Sequence, residues 1–224
     1  LDVSIENQGG IGANEITHNP EFISPAFKAL YRTIPNFDGS HLDELPVLPG
    51  SHIYICDPNA NVVAAVQSLV NWRRKRGINA YIATTTQTGT TSASIRNYIV
   101  NEFTTSNGAL EYVTMVGDPD SPAPYSVATG GSLDNTYATM TGGNPDPVPD
   151  LAVGRLPASS LGNLTSMVNN IINYESNPYM TETDWFERAW CAAHTNFVPS
   201  NPATKQYMRA IMLQHGIPTV DFDV

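Results

Sequence analysis

Two short apolar runs, Tyr112 to Val116 and Leu151 to Val153, constrain this chain more than any other feature of its sequence. Each has the length and residue types of a strand buried on both faces, and such strands belong to parallel sheets covered by helices. Each run ends in a glycine that delivers a charged residue, Gly117 before Asp118 and Gly154 before Arg155. Open α/β sheets build their sites at these carboxyl ends of strands. Between the runs lies a Gly/Asn/Pro-rich excursion carrying Asp118, Asp120, Asp134, Asp146 and Asp150. A structureless connection of that length in a compact domain is usually functional or ion-stabilised.

The rest of the chain supplies the layers these strands need. Residues 1–50 are broken by Gly9, Gly10, Gly12, Pro20, Pro25, Pro35, Pro46 and Pro49 and read as an irregular N-terminal arm, with one short helix from Ser24 to Tyr31. His52 to Cys56 is the first strand. A helix from Asn59 to Arg76 follows, with Val62, Val66, Leu69, Val70 and Trp72 on its apolar face and Gly77 as its stop. Ile78 to Thr84 is a second strand and Thr85 to Thr91 a polar loop. A helix from Ser92 to Thr104 turns Ile95, Ile99 and Phe103 inward, and strands follow at Leu110 to Val116 and Asp150 to Leu156. A long helix to Tyr174 buries Leu164, Val168, Ile171 and Ile172. Helical connections between strands make the sheet parallel, with right-handed crossovers.

Asn177 to Thr183 reads as a boundary, giving a first α/β subdomain over 51–183 and the start of a second over 184–224. The second holds a strand from Glu187 to Ala193, a helix from Pro202 to His215 with Tyr207, Ile211 and Met212 inward, and a strand from Ile217 to Phe222. The fold class is therefore α/β: a four-stranded parallel sheet flanked by helices, then a second parallel sheet begun. One βαβ unit cannot bury both faces of its sheet, so the expectation is a chain that stops partway through a domain.

Charge narrows the function. With 21 acidic against 11 basic residues the formal net charge is −10, which argues against nucleic acid, since phosphate binding needs clustered Lys and Arg. The one basic cluster, Arg73 to Arg76, ends a helix, where cations complement the helix dipole. No apolar run approaches the ~20 residues of a membrane-spanning helix, and the first residues lack a signal-peptide pattern. Leu1 fits either a chain left after removal of a leading segment or an arbitrary start.

For chemistry, Cys56 and Cys191 each fall inside a buried strand, where a lone cysteine acts as a small hydrophobe. No local motif joins either to His52, His194 or His215, and the GxSxG, HExxH, P-loop and GxGxxG patterns are missing. The aspartates of the excursion have two readings. They offer hard oxygen ligands of the kind calcium takes six to eight of, or they cap turns before Pro119 and Pro122. Arg155 is placed to pair with Asp150 or Asp118.

An ordered series of segments points to a family. SHIYICDPN with NWRRKRGINA, EYVTMVGDPDSPAP, DNTYA, PDLAVGRLPASS, NIINYE, FERAWCAAH and LQHGIP run from Ser51 to Phe222. Together they resemble the catalytic domain of the gingipain-like cysteine peptidases, the caspase-like family C25. The resemblance implies a secreted or cell-surface cysteine endopeptidase acting on protein or peptide substrates. Its Cys/His dyad would lie beyond residue 224, in the remainder of the catalytic domain, and the fragment alone would be inactive. It also implies that Asn196 stands near a His-orienting carboxylate and Asn201 near the Asp that receives a basic P1 side chain. A neutral Asn201 removes the charge that selects Arg or Lys. Structural calcium in the family's loops agrees with Asp118 and Asp134 as ligands. Two rivals remain: a non-catalytic peptidase-like domain that binds protein or ligand, and a small α/β ligand-binding domain using the strand ends near Asp118 and Arg155.

Overall fold

The computed structural model describes residues 22–34, 39–119, 121–126, 132–140, 149–194 and 199–223. In the arm, helix α1 (Pro25–Tyr31) starts where Ser24 Oγ accepts a hydrogen bond from the Phe27 amide at 3.2 Å and Pro25 supplies a first-turn residue with no amide to satisfy. The arm then closes on itself: Ile23 bridges Val47, and Asp43 pairs with Lys28 at 2.9 Å and Arg32 at 2.7 Å.

The strands and helices alternate as the periodicities predict. β1 (Ser51–Cys56) leads to α2 (Ala60–Lys75), β2 (Asn79–Thr84), α3 (Thr85–Thr88), α4 (Ser92–Thr105) and β3 (Leu110–Val116). Two short antiparallel strands, β4 (Tyr125–Ser126) and β5 (Ser132–Leu133), precede β6 (Ala152–Leu156) and α5 (Leu161–Ser176). The main sheet is parallel throughout, in the order β2-β1-β3-β6. The chain adds β2 on one side of β1 and β3 and β6 on the other, so the order reverses beside β1. The carboxyl ends of β1 and β3 flank that switch point.

Alternation along the central strands sorts the core into two layers. Ile53, Ile55, Val113 and Met115 meet Ile95 and Ile99 of α4 on one face; Tyr54, Cys56 and Val116 meet Val66, Leu69 and Val70 of α2 and Leu164 and Val168 of α5 on the other. All six residues of β1 are buried. Packing divides the chain into two units, residues 1–172 and 173–224. In the second, β7 (Arg188–Ala192) pairs in parallel with β8 (Thr219–Asp223), joined through α6 (Ser200–Gln214).

Several expectations are corrected. The run Leu151 to Val153 is not buried on both faces: β6 is the outermost strand, so Leu151 is buried but Ala152 is exposed and Val153 only half-buried. The polar loop after β2 contains the single turn α3, where Thr84 N–H donates to Gln87 Oε1 at 2.9 Å. The excursion is not structureless, since it holds β4, β5 and a 3-10 turn at Asn135–Ala138. Tyr207 does not face inward; it is 68% exposed, because α6 has a cover on one side only and buries none of its residues.

Candidate functional site

The carboxyl ends of β1, β3 and β6 open on a cleft of about 330 Å³. Its polar rim is Asp57, Asp118, Ser121, Ser159 and Ser160, and its floor is apolar, with Val116 and Leu164 in it. Local rules place each part. Asp57 accepts the Asn59 amide at 2.8 Å, and Asn59 Oδ1 accepts the Asn61 amide at 2.9 Å, which turns the chain from β1 into α2. Ser160 Oγ accepts the Asn163 amide at 3.2 Å and opens α5. Gly117 has φ +132°, and a Cβ there would collide with the Ser121 carbonyl oxygen. Only glycine lets the chain double back so tightly after β3.

Arg155 fastens the excursion to this edge. Its Nε and Nη2 donate to the two oxygens of Asp134 at 2.7 and 2.9 Å, and its Nη1 donates to the carbonyls of Gly117 and Pro122, both at 3.0 Å. The partner expected among Asp150 and Asp118 is instead Asp134; Asp118 offers only its carbonyl, at 3.4 Å, and Asp150 Oδ2 accepts the Met140 amide. A planar fork matches a carboxylate at two points and still leaves donors for backbone oxygens, which a lysine could not do. A second arginine helps: Arg96 of α4 donates from Nη2 to Thr139 O at 2.6 Å and from Nε to Thr136 O at 3.3 Å. No sequence motif announces either clamp, because the partners lie 21 to 43 positions away.

The donor set bears on calcium. Asp134 already holds a guanidinium at both oxygens, and no group of three or more His, Cys, Asp or Glu side chains gathers for a metal among the described residues. The described residues therefore do not fit calcium at Asp118 and Asp134 unless Arg155 withdraws. Asp120 and Asp146 lie outside the described residues.

Neither thiol is set up as a nucleophile. Cys56 is fully buried at the end of β1, and burial together with the nearby Asp57 charge pushes it up to about 11. A thiol needs the opposite surroundings to attack as thiolate. His52 shares the strand but sits four residues away, about 13 Å along an extended chain. Its Nε2 meets Thr114 Oγ1 at 2.8 Å and its ring stacks on Tyr54, while burial and the Arg73 charge lower it to about 3. Cys191 is buried in β7, and the histidine on the strand of Cys56 is bonded to Thr114 rather than to a thiol. Asn201 lies half-buried in the first turn of α6, and Asn196 falls outside the described residues.

Comparison with known proteins gives a consistent set. The sequence pattern of peptidase family C25 matches residues 47–219. Gingipain R2 of Porphyromonas gingivalis strain W83 is 22% identical over 201 residues, covering 88% of this chain and 27% of that protein. Gingipain R1 of the same species is 26% identical over 137 residues, 60% of this chain and 13% of that protein. The crystal structure of gingipain R, an Arg-specific cysteine proteinase, superposes with a TM-score of 0.66 at 22% identity, covering 77% of this chain and 40% of that one. A complex of the pro- and mature domains of the P. gingivalis protease RgpB gives 0.65 at 23%, again over 77% of this chain and 41% of the other. The chain thus spans about a quarter or less of the curated relatives it matches.

Proposed function

The chain belongs to peptidase family C25, and from that premise we propose that the protein containing it is a cysteine endopeptidase whose Cys/His dyad lies outside these 224 residues. The observation that carries the second half is the state of the two thiols. Cys56 is fully buried and pushed up to about 11, so it offers no thiolate to a peptide carbonyl, and Cys191 is buried in β7, away from a substrate. The described residues supply the first α/β layer of the catalytic domain and begin the second sheet; a dyad carried there would attack the carbonyl with its thiolate, the imidazole acting as base and then acid. We further propose a secreted or cell-surface location, protein or peptide substrates, and the remainder of the catalytic domain as the covering partner of 184–224.

Specificity follows from Asn201. The resemblance aligns it with an acidic position that pairs with a basic P1 side chain, and an amide there provides no charge for a guanidinium or ammonium. Asn196, in the His-orienting position, still accepts a hydrogen bond from an imidazole N–H. The proposed enzyme therefore cleaves without the strong Arg preference named for its gingipain R relative.

The test uses the protein in its longest expressed form. Alkylation should abolish peptide hydrolysis, and Cys56→Ser and Cys191→Ser should both retain it. Loss of hydrolysis in either variant, with the fold intact by circular dichroism, overturns the external dyad. A peptide panel that shows a hundredfold preference for Arg at P1, about 2.7 kcal/mol, overturns the reading of Asn201.

A further inference from the structure

The main sheet contains a buried carboxyl group for which neither the cleft nor the peptidase reading has any use. Glu111 is the extra residue of a bulge at the start of β3: Ser51 pairs with Leu110 and His52 with Tyr112, so Glu111 has no partner on β1. Bulges re-aim a side chain, and this one turns Glu111 toward the residue that joins the arm to the sheet. Glu111 is 5% exposed, its Oε1 has no hydrogen-bond partner, and the Gly50 amide donates to its carboxylate. Gly50 is itself buried, and a Cβ there would overlap the Glu111 carboxyl group. Glycine at 50 thus leaves the room that the carboxyl group of the bulged Glu111 fills.

We infer that Glu111 and Gly50 form a proton-operated latch that seats the arm, residues 22–34 and 39–50, on the sheet: closed while Glu111 is protonated, loosened once it gives its proton to water. The arm has its own bridge, Ile23 to Val47, and its own ion pairs at Asp43, and it joins the sheet through Gly50. A carboxylate without a counter-ion at this depth is costly, and Gly50, which packs on its Oε2, Cδ and Cγ, is the cover whose lifting admits water to the group. Burial pushes Glu111 up to about 7, against the smaller opposing effect of the Gly50 amide. The folded value lies above the ordinary one, so the closed latch is favoured in full below about 4.5 and loses that advantage as pH rises to about 7.

The titratable side chains of the neighbouring elements are engaged elsewhere or titrate outside this range. Tyr112 on the same strand is raised above 10, and His52 of β1 bonds to Thr114 and is held near 3. From α4, Glu102 accepts the Tyr81 hydroxyl at 2.8 Å. On the approach to β6, Asp150 accepts the Met140 amide. No Lys or Arg pairs with Glu111 among the described residues.

This inference does not depend on peptidase activity, and its test reads a different quantity. Hydrogen exchange of the intact protein, corrected for intrinsic rates, is compared between about pH 5 and about pH 8.5. Arm peptides should exchange about tenfold or more faster at the higher pH, with α2 and β3 unchanged. Glu111→Gln should keep the arm protected at both values, and Gly50→Ala should release it at both. Equal corrected rates in the wild type, or a pH difference that survives in Glu111→Gln, overturns the latch. Should Glu111→Gln fail to fold, Gly50→Ala decides: an arm released at both values supports the latch, and a retained pH difference removes it.

Discussion

Arg155 was visible in the sequence as a charged residue delivered by Gly154 at a strand end, but its role was not. The sequence suggested nearby aspartates; the fold selected Asp134, because the 3-10 turn at Asn135–Ala138 brings that carboxylate back over β6. The side chain of Arg155 is 11% exposed and that of Asp134 23%, so removing one partner strands the other at low exposure. Arg155→Ala should cost about 3 kcal/mol by denaturant unfolding. Arg155→Lys should recover less than half of that, because a point charge satisfies one oxygen where a fork satisfies several. Full rescue by lysine would mean that charge alone holds the excursion. His52 gives the pH prediction at this scale. Its folded value is depressed to about 3 from 6.5, so the neutral ring's contribution is present above about 6.5 and is lost as pH falls toward 3. His52→Gln should flatten stability over that interval by up to about 5 kcal/mol; an acid limb unchanged by the substitution would place the titrating group elsewhere.

At the level of elements, caps and periods carried most of the information. Ser24, Asn59 and Gly77 marked helix ends that the fold uses, and each predicted strand of the main sheet exists within two residues of its expected bounds. Periodicity reports which residues share a face, and it is silent on whether anything covers that face. This is why the stripe on α2 packs as its period predicts, whereas on α6 Ile211 and Met212 are half-buried and Tyr207 is not covered: Leu69 is 1% exposed under the sheet, Tyr207 68%. The same limit explains β6, whose apolar run suited a central strand and which became the outermost one. The contrast is measurable. Leu69→Ala should cost about 3 kcal/mol for the cavity it leaves, and Tyr207→Ala less than about 0.5 kcal/mol in the 224-residue chain. A Tyr207→Ala penalty comparable to that of Leu69→Ala would show α6 already covered in that chain.

Over the whole molecule, stability should follow cover. β1 and β3 lie in the middle of a parallel sheet with helices on both faces, and their amides can exchange only when the first unit opens. The second unit is different. Val220 and Cys191 face one way and are buried, while Arg188, Trp190 and Ala192 of β7 and Thr219, Asp221 and Asp223 of β8 are all exposed on the other side. That outer face is tied by Arg188 to Asp221 and by Trp190 Nε1 to Asp223, both at 3.2 Å, and exposed pairs of this kind contribute little. Parallel sheets in folded proteins are covered on both faces, so the proposed remainder of the catalytic domain predicts a specific change. In the 224-residue chain, β7 and β8 amides should exchange at least a hundredfold faster than those of β1 and β3, a gap of about 2.7 kcal/mol in opening free energy. In a longer protein that includes the proposed dyad, the gap should close, and Trp190 fluorescence should shift to the blue as its ring leaves water. Slow exchange of β7 and β8 in the short chain would mean that two strands and one helix suffice to hold this sheet. Its outer face would then need no further catalytic-domain structure to cover it, and residues 184–224 would need no such partner.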